Sequence, residues 1–348
     1  MLRLSIISIS ILFAPRCLLL TGEVDQTREL FQNRQAAIDL SDLRLVRITS
    51  AAADESWVLA DVKIKRNYST SNKFIPDPRT GELVPQGLIS VTEGSVRVAA
   101  VLSGHADVKD WEYSRSTSEF ARSGPPRKAD SDPFVTAGGL VLLRISRPTG
   151  QAVDVRETCQ LPAGWAKYIA PACRFCSEHP ATFQEPPPDD EHRVAARNLL
   201  DNENPLLAIA AFRALCRTED RIALVRGPFA HSRGVCRVVM GVLLLREAKA
   251  RETRDLAVEF TRIVDAAKTP GELMDIAAAI QIAGKNIGAV MAENILLGTT
   301  QPEIIERLSV ADRIQPTIFR RIRQCAPQLH PTTDSDRDLM RVLTSLGS

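Results

Sequence analysis

The spacing of apolar residues changes once along this chain, near residue 160, and this change limits the folds open to it. In the first half, Trp57–Arg66 alternates between apolar and charged residues, which is the period of a strand with one buried and one solvated face. After residue 189, apolar residues recur three and four positions apart, as in a packed helix. The pattern predicts an α+β multidomain protein: an N-terminal antiparallel β-sandwich-like domain followed by an α-helical repeat (solenoid-like) domain.

The length of 348 residues suits two domains of ordinary size. The change of period and a run of three prolines after residue 185 set the predicted boundaries. The predicted segments are an export signal at 1–22, a short helix or spacer at 23–39, the β-sandwich-like domain at 40–158, a joint rich in cysteine and proline at 159–188, and the α-helical repeat domain at 189–348.

Five segments of the first half have the composition and period of strands. The predicted strands are Trp57–Arg66, Ser95–Leu102 and Gly139–Ser146, with weaker candidates at Leu43–Ile48 and Val153–Arg156. Gly139–Ser146 is apolar at nearly every position, which is typical of a central strand with two buried faces. In contrast, Glu112–Pro133 is polar and contains serine, arginine and proline, so it is predicted to be a long loop, with disorder favoured over a functional role.

The second half contains repeated helix starts about 15 residues apart, two of them marked by the capping boxes Thr269-x-x-Glu272 and Thr300-x-x-Glu303. The segment Asn204–Leu215 (NPLLAIAAFRAL) resembles the buried helix of a HEAT/armadillo-type repeat. Other helical segments resemble it less closely and extend the resemblance over about 189–346. The resemblance implies a curved helical solenoid with a surface for binding another protein. It transfers no catalytic residue.

The N-terminus predicts export. Arg3 is followed by the apolar run Leu4–Ala14, a short positive region and a hydrophobic region of the length found in signal peptides. A membrane contact is expected only through an uncleaved signal or anchor. The net charge of +2 and the aromatic content of 5% argue against nucleic acid as a partner, because neither a strong field nor stacking platforms are available.

Four residues of the joint have spacing that suits a metal ion or a disulfide: Cys159, Cys173, Cys176 and His179. Two thiolates in a Cys-x2-Cys arrangement can approach one tetrahedral zinc ion, and the other two residues complete four ligands. Cysteines of exported chains are usually oxidised, so a disulfide is the favoured interpretation, with zinc and free thiols as alternatives. Cys173 and Cys176 also have the spacing of a redox dithiol, but the prolines around them predict a loop rather than the required helix N-terminus.

Sequence motifs for hydrolases, zinc proteases, phosphate-binding loops and dinucleotide binding do not occur in the chain. No residue is therefore predicted to be catalytic, and no cofactor is predicted apart from the zinc alternative. The first hypothesis is an exported, non-enzymatic protein-interaction or scaffold protein that binds another protein on its helical domain. The alternative is an enzyme, or a metal or redox site, at the joint around Cys173, Cys176 and His179.

Overall fold

The computed structural model describes residues 23–52, 54–71, 74–76, 83–85, 87–104, 107, 109–120, 139–146, 153–217, 220–284 and 310–346. These residues form a five-stranded antiparallel sheet, a two-stranded ribbon and eleven α-helices. The prediction of strands in the first half and helices in the second is confirmed. The predicted export signal and the capping box at Thr300 lie outside the described residues.

The sheet has the strand order β5-β4-β1-β6-β7. Its strands are β1 (Glu55–Ser71), β4 (Gly87–Ser103), β5 (Trp111–Phe120), β6 (Gly139–Ser146) and β7 (Asp154–Gln160). The ribbon pairs β2 (Phe74–Pro76) with β3 (Leu83–Pro85). The boundaries of β6 are those predicted from the sequence, and β6 lies between β1 and β7, as expected for its apolar sequence.

The two faces of the sheet differ from the simple buried-and-solvated prediction. Val58, Ala60 and Val62 share one buried face, as the alternation predicted. The opposite face begins with Trp57 and Leu59, which are also buried because they belong to the same apolar cluster as the helices. Only farther along β1, at Lys63 and Lys65, is this face exposed to solvent.

The helices begin with α1 (Glu23–Asp42) and α2 (Leu45–Thr49), before the sheet, and continue after it. The later helices are α3 (Ala166–Glu178), α4 (Asp190–Asn198), α5 (Pro205–Cys216), α6 (Arg221–Leu224), α7 (Gly234–Glu247), α8 (Thr253–Ala266), α9 (Pro270–Ala283), α10 (Val310–Cys325) and α11 (Asp334–Thr344). Within the described part of the chain, no helix is long and apolar enough to cross a membrane.

Two predicted helix starts have the caps that their sequences suggest. The Asn204 side chain accepts a hydrogen bond from the Leu206 amide at the start of α5, and Thr269 accepts one from Glu272 at the start of α9. The reciprocal bond of the Thr269 capping box is displaced by one residue, since the Glu272 carboxylate accepts a hydrogen bond from the Lys268 amide, and not from the Thr269 amide, at 2.7 Å. Each cap satisfies an amide that has no partner within the helix.

Three local predictions are wrong. Leu43–Ile48 is not a strand: α2 begins at Leu45, and Leu45 and Ile48 are buried three positions apart, which is a helical period. The loop prediction fails at its start, because β5 pairs with β4 from Val96↔Trp111 onward. A strand at the sheet edge pairs through its backbone on one side only, so a polar sequence does not prevent it. Residues 121–138 lie outside the described residues.

The third wrong prediction is the loop around Cys173, which is helix α3 with Pro171 inside it. Pro171 is the sixth residue of α3, so it removes the hydrogen bond that an amide there would donate to the Lys167 carbonyl oxygen, and the helix forms despite this cost. Ile169, Ala172, Cys173 and Cys176 are buried on one side of α3, so packing of this apolar stripe favours the helix.

Helix α1 is attached to the end of β7 through Asp39. Its carboxylate accepts hydrogen bonds from the Gln160 amide and from the Gln35 side chain, both at 2.7 Å. Burial raises the pKa of Asp39 from 3.8 to about 6, an effect that the two hydrogen bonds oppose and the nearby charge of Asp42 increases. Above pH 6 the folded protein therefore holds a partly desolvated negative charge.

This raised pKa predicts a pH-dependent effect of Asp39→Asn. Below the ordinary pKa of 3.8 the carboxyl is protonated in both states and costs nothing, whereas between pH 4 and pH 6 its ionisation destabilises the fold. The free energy of unfolding of Asp39→Asn, relative to the unchanged protein, should rise between pH 4 and pH 7 by on the order of 1–2 kcal/mol. Urea denaturation at the two pH values measures this difference in the free energy of unfolding. Asp54→Asn, which replaces an exposed aspartate, is the control. A pH-independent difference would contradict the assignment.

Candidate functional site

The predicted cysteine and histidine ligands lie on two different elements. Cys159 is near the end of β7, Cys173 and Cys176 are on α3, and all three are buried. His179 follows α3 and is exposed, with its ring stacked on Phe175 at a centroid distance of 4.4 Å. Every cysteine in the described part of the chain is a free thiol, so the favoured disulfide is absent there.

The environment of these thiols is apolar. Burial raises the pKa of Cys173 to about 12, and burial together with the neighbouring Cys173 raises the pKa of Cys176 to about 12. Burial also raises the pKa of Cys159 well above its usual range. A thiolate is the form that attacks substrates and binds metals, so these neutral thiols are poor redox nucleophiles at pH 7.

Among the described residues, no three histidine, cysteine, aspartate or glutamate side chains are grouped so that they could hold a metal ion. The structure thus places Cys173 and Cys176 near each other on α3, but does not assemble the four-residue set. A zinc site at Cys159, Cys173, Cys176 and His179 stays a prediction from their spacing.

A different group of side chains converges where the α1–α2 turn meets α5 and α7. It surrounds a cavity of about 270 Å³, which we call the arginine pocket. Its lining residues are Ser41, Asp42, Arg44, Arg47, Arg213, Leu243, Arg246 and Glu247. Half of them are arginines, so the pocket has the character of an anion-binding site.

Helix α2 positions two of these arginines. Leu45 and Ile48 are buried and fix α2 against the core, while Arg44 and Arg47 are exposed. Arg44 and Arg47 are three positions apart and therefore lie on the same side of the helical turn. Packing of the apolar residues thus directs two guanidinium groups toward the arginine pocket.

Arg213 belongs to α5, which is otherwise mostly buried and apolar, and only 12% of its side chain is exposed. Its Nη2 donates hydrogen bonds to the carbonyl oxygens of Leu40 at 3.3 Å and Ser41 at 2.5 Å. These carbonyls belong to the last turn of α1, where no intrahelical donor remains. Burial lowers the pKa of Arg213 and the Glu185 carboxylate opposes this, but a guanidinium stays charged at neutral pH.

The carboxylates of this region balance only part of the positive charge. Arg246 Nη1 lies 2.6 Å from the Asp42 carboxylate. Glu185 lies farther from its partners, 3.4 Å from Arg44 and 3.8 Å from Arg213. Four lining arginines face two lining carboxylates, which leaves two positive charges in excess. Two residues outside the lining, Arg217 and Glu185, also form ion pairs with it. They carry one positive and one negative charge, so they leave this excess unchanged.

Two arginines elsewhere in the helical half have close carboxylate partners. Arg221 lies 2.8 Å from the Glu252 carboxylate, and Arg226 lies 2.7 Å from that of Glu259. Arg47, in contrast, has no ion-pair partner among the residues that the structure describes. The arginine pocket therefore offers a ligand at least one guanidinium group, that of Arg47, that is not already paired with a described carboxylate.

Sequence reasoning missed the arginine pocket. The one local signal was Arg213, a charged residue within the apolar run of α5. A charged residue that is not exposed needs a partner, but the sequence gives no indication that this partner is the end of α1, more than 170 positions away.

Comparison of this chain with protein-family models, with curated proteins and with solved structures gives no match. The geometry and charge of the arginine pocket are therefore the basis for a functional conclusion.

Proposed function

We propose that this protein is a non-enzymatic protein-interaction protein that binds an acidic segment of another protein at the arginine pocket, where α1 and α2 meet the helical half. The excess of two positive charges in the arginine pocket carries this proposal. Guanidinium groups bind carboxylates through paired hydrogen bonds, and arginine is enriched among the residues that dominate protein–protein binding.

The lining of the arginine pocket supports binding rather than catalysis. Its eight residues include no cysteine, histidine or lysine. The one hydroxyl group, on Ser41, donates a hydrogen bond to the Ile38 carbonyl oxygen at 2.6 Å and belongs to a buried side chain. A nucleophile would instead need a neighbouring base.

The proposal also includes export and the finer architecture expected from the sequence. The basic and apolar N-terminus supports a signal at 1–22, and the regular helix starts support a repeat-like arrangement of the helices after the sheet. Intact mass of the protein recovered from each cell fraction tests export: loss of about the first 22 residues supports it, and a complete N-terminus on protein recovered only from the cytosolic fraction contradicts it.

Peptide binding tests the function directly. The full chain is added to a labelled twelve-residue peptide rich in glutamate, and binding is measured from the fluorescence anisotropy of the peptide. The glutamate peptide should bind, and the same peptide with glutamine in place of glutamate should bind much more weakly. Arg44→Ala/Arg47→Ala should weaken binding by about tenfold, equivalent to about 1.4 kcal/mol. The matched control is Arg254→Ala/Arg320→Ala, which removes two exposed arginines of α8 and α10. Equal loss in both variants, or no binding to the unchanged protein, would contradict the proposal.

A further inference from the structure

We infer that the arginine pocket recognises two neighbouring acidic side chains of one partner segment, and that Asp42 competes with them for Arg246. This inference rests on the proposed function and specifies its ligand. It follows from the charge excess, from the size of the cavity and from the kind of ion pair that Asp42 makes.

The charge excess sets the number of acidic groups. Two positive charges remain after the residues that line the arginine pocket and those that form ion pairs with them are counted. A segment with one acidic residue would leave one charge unbalanced, whereas two neutralise the excess. Arg44 and Arg47 lie three positions apart on α2 and offer two adjacent guanidinium groups.

The size of the cavity favours side chains over a whole small molecule. Its volume of about 270 Å³ lies below the 300–1,000 Å³ that is usual for pockets that enclose a drug-sized ligand. Two carboxylate side chains that enter from a segment lying across the surface need less space. Leu243 supplies an apolar surface for their methylene groups.

Asp42 is the internal competitor. Its carboxylate lies 2.6 Å from Arg246, but 65% of its side chain and 37% of that of Arg246 are exposed. Exposed ion pairs contribute little to stability, since water solvates both charges well. A ligand carboxylate can therefore replace Asp42 on Arg246 at small cost, and removal of the Asp42 charge should favour the ligand.

Labelled glycine–serine peptides with no, one or two adjacent glutamates, and one with a single phosphoserine, test this inference. At fixed low salt, the two-glutamate peptide should bind the full chain about tenfold more tightly than the one-glutamate peptide. Asp42→Asn should tighten binding of the two-glutamate peptide by about threefold, an effect opposite to that of a lost structural contact. Asp255→Asn, which removes an exposed carboxylate of α8, is the matched control and should change nothing.

The remaining outcomes separate the inference from the proposed function. Equal affinity for one and two glutamates, or unchanged binding by Asp42→Asn, overturns the inference and leaves the proposed function intact. Tighter binding of the phosphoserine peptide than of the two-glutamate peptide also overturns it, in favour of a phosphate site. Failure of every peptide to bind overturns both.

Discussion

Replacement of Trp57 by alanine is expected to lower the free energy of unfolding by about 3–5 kcal/mol. Trp57 lies on β1 and only 1% of it is exposed. It belongs to the apolar cluster that continues through α1, α3 and α5 into the later helices. Its removal should leave a cavity between the sheet and the helices, because a packed interior relaxes only in part.

Urea denaturation followed by circular dichroism measures this loss, and the shape of the transition gives a second result. Because Trp57 contributes to a core shared by strands and helices, we expect one cooperative transition moved to lower urea. Val194→Ala is the control, since Val194 is 50% exposed and its truncation should cost no more than about 0.5 kcal/mol. A loss below 1 kcal/mol for Trp57→Ala would contradict the shared core.

Replacement of Gly241 by alanine is expected to destabilise the helical half by about 1–3 kcal/mol, although alanine is the better helix former. Gly241 is on α7, and a Cβ atom there would lie 2.6 Å from the Ala279 Cβ of α9 and 2.9 Å from a Phe229 ring carbon. Both distances are shorter than van der Waals contact, so α7 and α9 would have to separate. Thermal unfolding of the purified variant measures the loss.

A compensating substitution shows whether the close contact is the cause. Ala279→Gly removes the nearer of the two contacts, so Gly241→Ala/Ala279→Gly should be more stable than the sum of the single effects predicts. Recovery should be partial, because the Phe229 contact remains. Gly271→Ala is the matched control: a Cβ there meets nothing closer than 3.9 Å and should be neutral or stabilising. Additive effects of the two substitutions would contradict the explanation.

The sequence alone determined several of the local elements. The alternation of Val58, Ala60 and Val62 identified β1 and its buried face, and the apolar run of β6 fixed both of its ends. Asn204 and Thr269 correctly marked the starts of α5 and α9. These features were predictable because side-chain period and helix capping depend on residues only a few positions apart.

Tertiary structure alone decided the second face of the sheet and the arginine pocket. Trp57 and Leu59 are buried because helices cover that end of β1, which the alternation along one strand does not reveal. Asp42 and Arg246 form their ion pair across 204 positions of sequence. The charge excess of the arginine pocket likewise depends on which distant arginines and carboxylates the packing of α1, α2, α5 and α7 brings together. Coulombic interaction depends on distance in space, and the order of residues along the chain does not specify that distance.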